Sequence, residues 1–447
     1  MNIENNSLIK QTDYTELRLP KFKVNVALKQ WWLGFFLLAI FQSLGRSPLM
    51  FTVVYYEMVL LVFLLLFIIF YIIDKLSSGK KFNAFERISL GFAFLMPVYS
   101  AIVSFIFWKQ PLLYGLGTDR SWLFIIAGIF IFYQLKTRNI SLHMIRDVML
   151  NLAWIQLTIY LLADILFNPN HFKEAVFVTC NTAKGGCTFT FDIAFLAFAF
   201  LFYLFIFFKT NSWKYLLFSI IFFSYIFLIF QKRALTLSLL GTAGLYFFLN
   251  LSSKKQFFYF ISLTSTLAMA FILIYLIRPD IIFRLNEMYT NVFEVIQGEK
   301  VGESSADARI KQIIISGLFW IRKPITIIFG NGNWSNHWAG NPQTYYGRFF
   351  PSDIGIVGSV FLYGIIGVTA IQLVFIKLIT WIRKIKTNRN DVFFQACKYY
   401  MLFYWIRSIP TGGTYFPPGP GVTFTLIALI YFYYYIENQP EKNYELG

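Results

Sequence analysis

Charge, cysteine and metal-binding patterns are all scarce in this sequence. Only 14% of its 447 residues are charged, against 57% hydrophobic and 21% aromatic. That is more apolar surface than a soluble domain can hide. No Asp-x-Asp pair occurs, so a metal-clamped nucleotide-sugar site has no obvious ligands. No Gly-Lys-Ser/Thr phosphate loop is present, which removes ATP as the energy source. No Cys/His cluster has zinc-like spacing, and no inverted repeat of the transporter kind is visible. Cofactor and metal are therefore both expected to be none. Of the three cysteines, Cys397 stands alone and reads as a core residue. Cys180 and Cys187 fall together in C-N-T-A-K-G-G-C. An oxidising compartment would let them close a loop as a disulfide; two unpaired thiols are the alternative.

What the sequence has instead is apolar runs near the length of a bilayer crossing. They are continuous rather than alternating, which argues against a β-barrel. Twelve are expected, at 24–44, 49–73, 88–108, 122–135, 148–167, 189–208, 215–230, 234–251, 257–277, 354–376, 392–409 and 422–436. The stretch ahead of the first run is polar and carries no small-residue cleavage site, so a cleavable signal peptide is not expected. Residues 1–277 read as an N-terminal bundle of nine spans, 278–353 as a long loop, and 354–447 as a C-terminal bundle of three.

The net charge of +17 would suggest nucleic acid in a soluble protein, but its distribution is that of a topology signal. Lys21, Lys23, Lys29, Lys80, Lys81, Lys254, Lys255, Arg383, Lys384 and Lys386 all flank spans on one side. Cationic flanks stay cytoplasmic, so both termini are expected inside and the long loop outside. Attraction to anionic lipid headgroups is a second use of this charge, and no nucleic-acid partner is expected.

The long loop is the only extended segment that is neither apolar nor a short connector. Two helices are expected in it. One follows Pro279-Asp280 with Ile281, Leu285, Met288, Val292 and Ile296 on one face; the other starts at Ser304/Ser305 and stops at Pro324. The remainder, to Ser352, is too rich in glycine and proline for regular structure. Five outward arginines are candidates for binding phosphate oxygens through a guanidinium fork: Arg233, Arg278, Arg284, Arg309 and Arg407. Snorkelling to headgroups is the competing reading for each. Near the glycine-rich turn, His337 and Asp353 are the groups suited to general-base work. A solvated loop histidine and a simple N-cap are their plainer readings. Trp334, Trp338, Tyr345, Tyr346, Phe349 and Phe350 form an aromatic group that would suit sugar faces or an interfacial belt equally well.

Several of these segments resemble one family. Arg233 in Q-K-R-A-L-T is similar to the arginine motif that starts a span in O-antigen polymerases and O-antigen ligases. D307-A-R309-I-K-Q…W320 is similar to their loop arginine followed by a Trp-bearing helix. F-G330-N-G332-N-W and S-D353-I-G…Y-G364-I-I-G367 resemble the turn and closing span that end their long loop. Where the ligases carry a histidine at the entrance to the closing span, this sequence has Asp353, which is more like the polymerase branch. The first outer loop, Gln42–Pro48, holds no acid, unlike many lipid-phosphate-sugar mannosyltransferases.

The resemblance implies an all-α polytopic, GT-C-like enzyme of the inner membrane, a Wzy-type polysaccharide polymerase. Its substrates would be undecaprenyl-diphosphate-linked oligosaccharides, with a chain-length regulator as a further partner. Ligation to lipid A core and flipping of the lipid-linked oligosaccharide are the alternatives. Intramembrane acids are few, at Glu57, Asp164 and Asp192, which weighs against a flippase.

Overall fold

The computed structural model describes residues 24–43, 53–173, 175, 177–181, 186–230, 232–252, 256, 272, 275–276, 304–340, 347 and 349–438. Helices dominate. In order they are α1 Val24–Ile40, α2 Val53–Ser77, α3 Ala84–Trp108, α4 Leu112–Thr118, α5 Ile126–Lys136, α6 Leu142–Leu166, α7 Ala194–Thr210, α8 Trp213–Ser224 and α9 Arg233–Asn250. Then come α10 Ser304–Arg322, α11 Ile325–Phe329, α12 Gly355–Lys384, α13 Val392–Thr411 and α14 Gly419–Asn438.

Sequence character sorts these helices into layers. A helix that is apolar on every side must be surrounded, and α7 is buried continuously from Ala194 to Phe208. It packs on α6, α8 and α13. A second interior pair is α5 with α14, flanked by α2 and α3. By contrast α2 turns Val59, Phe63, Leu66, Phe70 and Ile73 outward. An apolar face of that extent suits lipid and not water. The chain is a membrane protein. By length and composition five described helices can cross a bilayer, and six spans result if the bent pair Leu112–Thr118 and Arg120–Lys136 counts as one. Four shorter apolar helices, Trp31–Ile40, Ala194–Thr210, Trp213–Phe227 and Ala234–Asn250, accompany them.

Four of the sequence-derived segments differ in detail. The run at 122–135 is preceded by α4, bends by 45°, and passes through a tight 3-10 segment, Arg120–Ile125, before α5 begins. The run at 215–230 leaves the α form at Ser224 and continues as a π-helical turn, Tyr225–Phe230. The run at 354–376 is broken at Gly364, whose φ is 66°. The loop at 168–187 contains a hairpin, β1 Val178–Asn181 and β2 Gly186–Phe189, in which Cys180 faces Cys187 and is disulfide-bonded to it. Cys397 is free and buried. Helix α10 begins at Ser304 and ends at Arg322, just before Pro324. The run at 257–277 and the loop helix after Pro279 fall almost wholly outside the described residues.

One buried ion pair shows how charge is handled inside the bundle. Asn83 and Glu86 form a reciprocal capping box that starts α3. The same Glu86 carboxylate accepts from Tyr71 Oη at 2.6 Å and from Lys75 Nζ at 3.1 Å. Every Glu86 oxygen is thereby used, which is the condition under which a buried pair is tolerated.

Candidate functional site

The glycine-rich end of the long loop is an anchor. Because α12 breaks at Gly364, the carbonyls of Phe361 and Leu362 lose their helical donors. Asn331 N and Gly332 N supply replacements, at 2.9 and 2.8 Å, and Asn331 Nδ2 adds a third bond to Phe361 O at 3.0 Å. In a membrane interior such exact repayment of backbone groups is what makes a broken helix possible. The next residues thread between spans. Asn333 N donates to Ser100 Oγ at 2.9 Å and Ser335 N to Gln110 Oε1 at 2.8 Å. Gln110 Nε2 in turn donates to Asn333 O at 3.1 Å. Asp119, at the bend after α4, accepts from Asn333 Nδ2 at 3.1 Å and from Tyr363 Oη at 3.0 Å. Trp122 Nε1 completes the chain by donating to Tyr363 Oη.

This knot corrects one assignment. Trp334 is only 5% exposed. Its ring lies 5.6 Å from Trp108, 5.9 Å from Phe349 and 5.7 Å from Phe361. It is core and offers no open platform to a sugar. Trp338 is half-buried against the same core. Tyr345 and Tyr346 lie outside the described residues, as do Arg278 and Arg284.

Asp353 and His337 are both exposed. Asp353 sits in the 3-10 turn Pro351–Ile354, and α12 starts after it without a side-chain cap. The N-cap reading is therefore set aside. His337 follows Ser335, whose hydroxyl accepts from the His337 backbone N–H at 3.2 Å. Among the described residues neither side chain is held by a hydrogen bond, whereas a preorganised catalytic group normally is.

The arginines fare differently. Arg309 is exposed near the start of α10. One turn later Gln312, 1% exposed, accepts from Phe350 N at 3.1 Å, which seats α10 on the segment entering the Pro351–Ile354 turn. That turn also touches α13, near whose end Arg407 stands. The turn thus gathers the elements that carry Arg309, Asp353 and Arg407. Arg407 is half-buried, with its guanidinium carbon 5.9 Å above the Tyr404 ring. Arg233 opens α9. Asn250, at the other end of α9, donates to Tyr399 Oη at 2.6 Å. Helix α9 packs against α13, and this bond fixes the sense: the first turn of α9 lies toward the Arg407 end of α13.

Asp164 and Asp192, which the sequence reading weighed only against a flippase, take up polar partners where α6 ends and α7 begins. Asp192 precedes α7 and accepts from the hydroxyl of Ser43, just past α1. Asp164, near the end of α6, accepts from Tyr225 Oη at 3.1 Å. Tyr400 Oη donates to the Ala194 carbonyl at 2.6 Å. Tyr404 lies edge-on to Tyr400 at 5.2 Å and carries the Arg407 guanidinium above its ring. The signal in the sequence was the rarity of acids within apolar runs, since such groups are costly unless used. Among the described residues no three of His, Cys, Asp and Glu gather as metal ligands. Comparison with family models, curated proteins and solved structures finds no match to this chain.

Proposed function

We propose that this chain is a membrane glycosyltransferase of the polysaccharide-polymerase kind, built on twelve spans in a GT-C-like arrangement. It moves a growing glycan from undecaprenyl diphosphate onto a lipid-linked repeat unit at the outer face of a bacterial inner membrane. The observation that carries the reading is that elements bearing three family-like motifs adjoin one another. The Asp353 turn touches both α10, which carries Arg309, and α13, and α9, which Arg233 opens, packs along α13. The donor is already activated, so the protein has only to stabilise the departing diphosphate and free the acceptor hydroxyl of its proton. Fixed guanidinium groups suit the first task. Asp353 and His337, both exposed, are the candidates for the second task or for orienting the saccharide.

The polar cross-links support a two-sided arrangement. At one end are Gln42–Glu57 at 2.6 Å, Arg120–Glu57 at 3.3 Å, Ser43–Asp192 and Tyr225–Asp164. At the other are Lys75–Glu86, Lys209–Asn390, Tyr433–Asp391 and Glu437 with the backbone of Lys386 and Asn388. The second end is the lysine-rich one, and that is the cytoplasmic side. Reporter fusions at Lys80 and Lys386 are expected to read cytoplasmic, and fusions at Gly186 and Gly340 external. An external Lys386 would invert the face on which the arginines lie.

The function itself is tested in a host strain deleted for this gene. Loss of the chain is expected to leave single repeat units on the lipid carrier and no polymer ladder on a gel, with the ladder restored by a plasmid copy. A polymer ladder that persists without the gene would sink the polymerase reading. Single units trapped on the cytoplasmic leaflet would instead favour the flippase.

A further inference from the structure

Tyr160 carries an unexplained cost on the outer side of the bundle. Its side chain is 1% exposed, and its hydroxyl has no hydrogen-bond partner among the described residues. Leaving such a group unsatisfied costs on the order of 1–3 kcal/mol. The ring is held firmly, stacked on Phe191 at 4.4 Å and 16°. Phe191 stacks on Phe189 at 5.1 Å, so the column continues into the disulfide-closed hairpin. Asp192 is the next residue after Phe191, on which the Tyr160 ring stacks. Asp192 is itself held by the Ser43 hydroxyl and by the Ala194 backbone N–H at 3.3 Å, and it is only half-buried.

A phosphate oxygen cannot fill this place, because it only accepts hydrogen bonds and carries the same charge as Asp192. A saccharide hydroxyl can: it donates its one proton to the carboxylate and accepts from the tyrosine. Arg407, above the Tyr404 ring, has the opposite preference, and Tyr404 packs on Tyr400, which holds the Ala194 carbonyl. The bundle end therefore offers a hydroxyl-binding site beside a cationic one, which is the division an acceptor alcohol and a leaving diphosphate need.

We propose that Asp192 and Tyr160 form the acceptor subsite and that Asp192 is the general base of the transfer. This rests on the glycosyl-transfer reading above. The acceptor oxygen forms the new bond to the anomeric carbon as the bond from that carbon to the diphosphate oxygen breaks. The diphosphate leaves with the electron pair, and the acceptor proton passes to the Asp192 carboxylate.

Asp192→Asn in the full-length protein is expected to reduce polymer in host-strain membranes by about a hundredfold, while purified protein still binds undecaprenyl diphosphate as the wild type does. Tyr160→Phe keeps the stacked ring, removes only the oxygen, and is expected to cost about tenfold. A full ladder from Asp192→Asn, where Arg233→Ala has none, would overturn the inference and leave the polymerase reading standing. Loss of carrier binding together with the ladder would also overturn it, by making Asp192 structural. If Asp192→Asn fails to accumulate, a wild-type ladder from Tyr160→Phe decides against the proposal. Full ladders from Asp192→Asn and Arg233→Ala alike would overturn the inference and remove Arg233 from diphosphate binding as well.

Discussion

Gly330→Ala and Gly364→Ala are each expected to leave little folded protein in the membrane. Gly330 has φ 77°, and a Cβ there would stand 2.2 Å from Leu362 O and 2.6 Å from Gly364 N. Gly364 has φ 66°, and its Cβ would meet Ile328 O at 2.2 Å and Gly330 N at 2.4 Å. The two glycines face each other where the loop threads the broken α12, and every atom in the way is backbone, which cannot swing aside. Left-handed strain costs about 1–3 kcal/mol and overpacking about as much again. A loss on the order of 4 kcal/mol is a large part of a typical domain's stability. Gly317→Ala, on α10 with nothing within 4 Å of its Cβ, serves as the comparison and is expected to gain up to about 1 kcal/mol. Thermal unfolding of detergent-purified protein reads both. A Gly330→Ala midpoint within about 2 °C of wild type would contradict the close packing of the anchor.

Arg233→Ala and Arg309→Ala are expected to cut polymer formation by roughly a hundredfold each, about 3 kcal/mol of lost charge stabilisation once substrate covers the site. Arg233→Lys is expected to fail nearly as badly, because an ammonium is a point charge and cannot make the two-pronged contact. Polymer length on a gel, with protein amount checked by blotting, measures this. Long polymer from both alanine variants would remove the arginines from diphosphate binding, and activity lost to a chelator would point to a metal ion instead. Comparison with the glycine variants separates causes. An arginine variant should accumulate normally and fail in catalysis, whereas a glycine variant should fail to accumulate.

The aromatic residues of the loop suit a sugar face or an interfacial belt when read from the sequence, and part of the group is neither. Trp334 and Phe349 look alike with Trp338 in a sequence, since an aromatic ring suits a sugar face and a packed core equally. Only the position of Trp108, Phe319 and Phe361 around them decides that Trp334 is core. The glycines of F-G-N-G-N-W read as a turn in the sequence, and the structure gives 330–335 an irregular, turn-free path with Gly330 and Gly332 at positive φ. Their actual burden, replacing the hydrogen bonds of a helix broken at Gly364, depends on a partner some thirty residues away.

By itself the sequence determined the class of protein, through apolar runs that only a bilayer accommodates, and a helix from Ser304 to Arg322 through its serine start and proline stop. These are local properties, set by composition and by which residues begin and end a helix. Which polar groups meet was decided by tertiary structure alone. Ser43 finds Asp192, Asp164 finds Tyr225 and Asn333 finds Asp119 across gaps of 61 to 214 residues. The physical reason is that a buried carboxylate must be satisfied, but dozens of serines, tyrosines and asparagines could satisfy it, and only helix packing selects the one within reach.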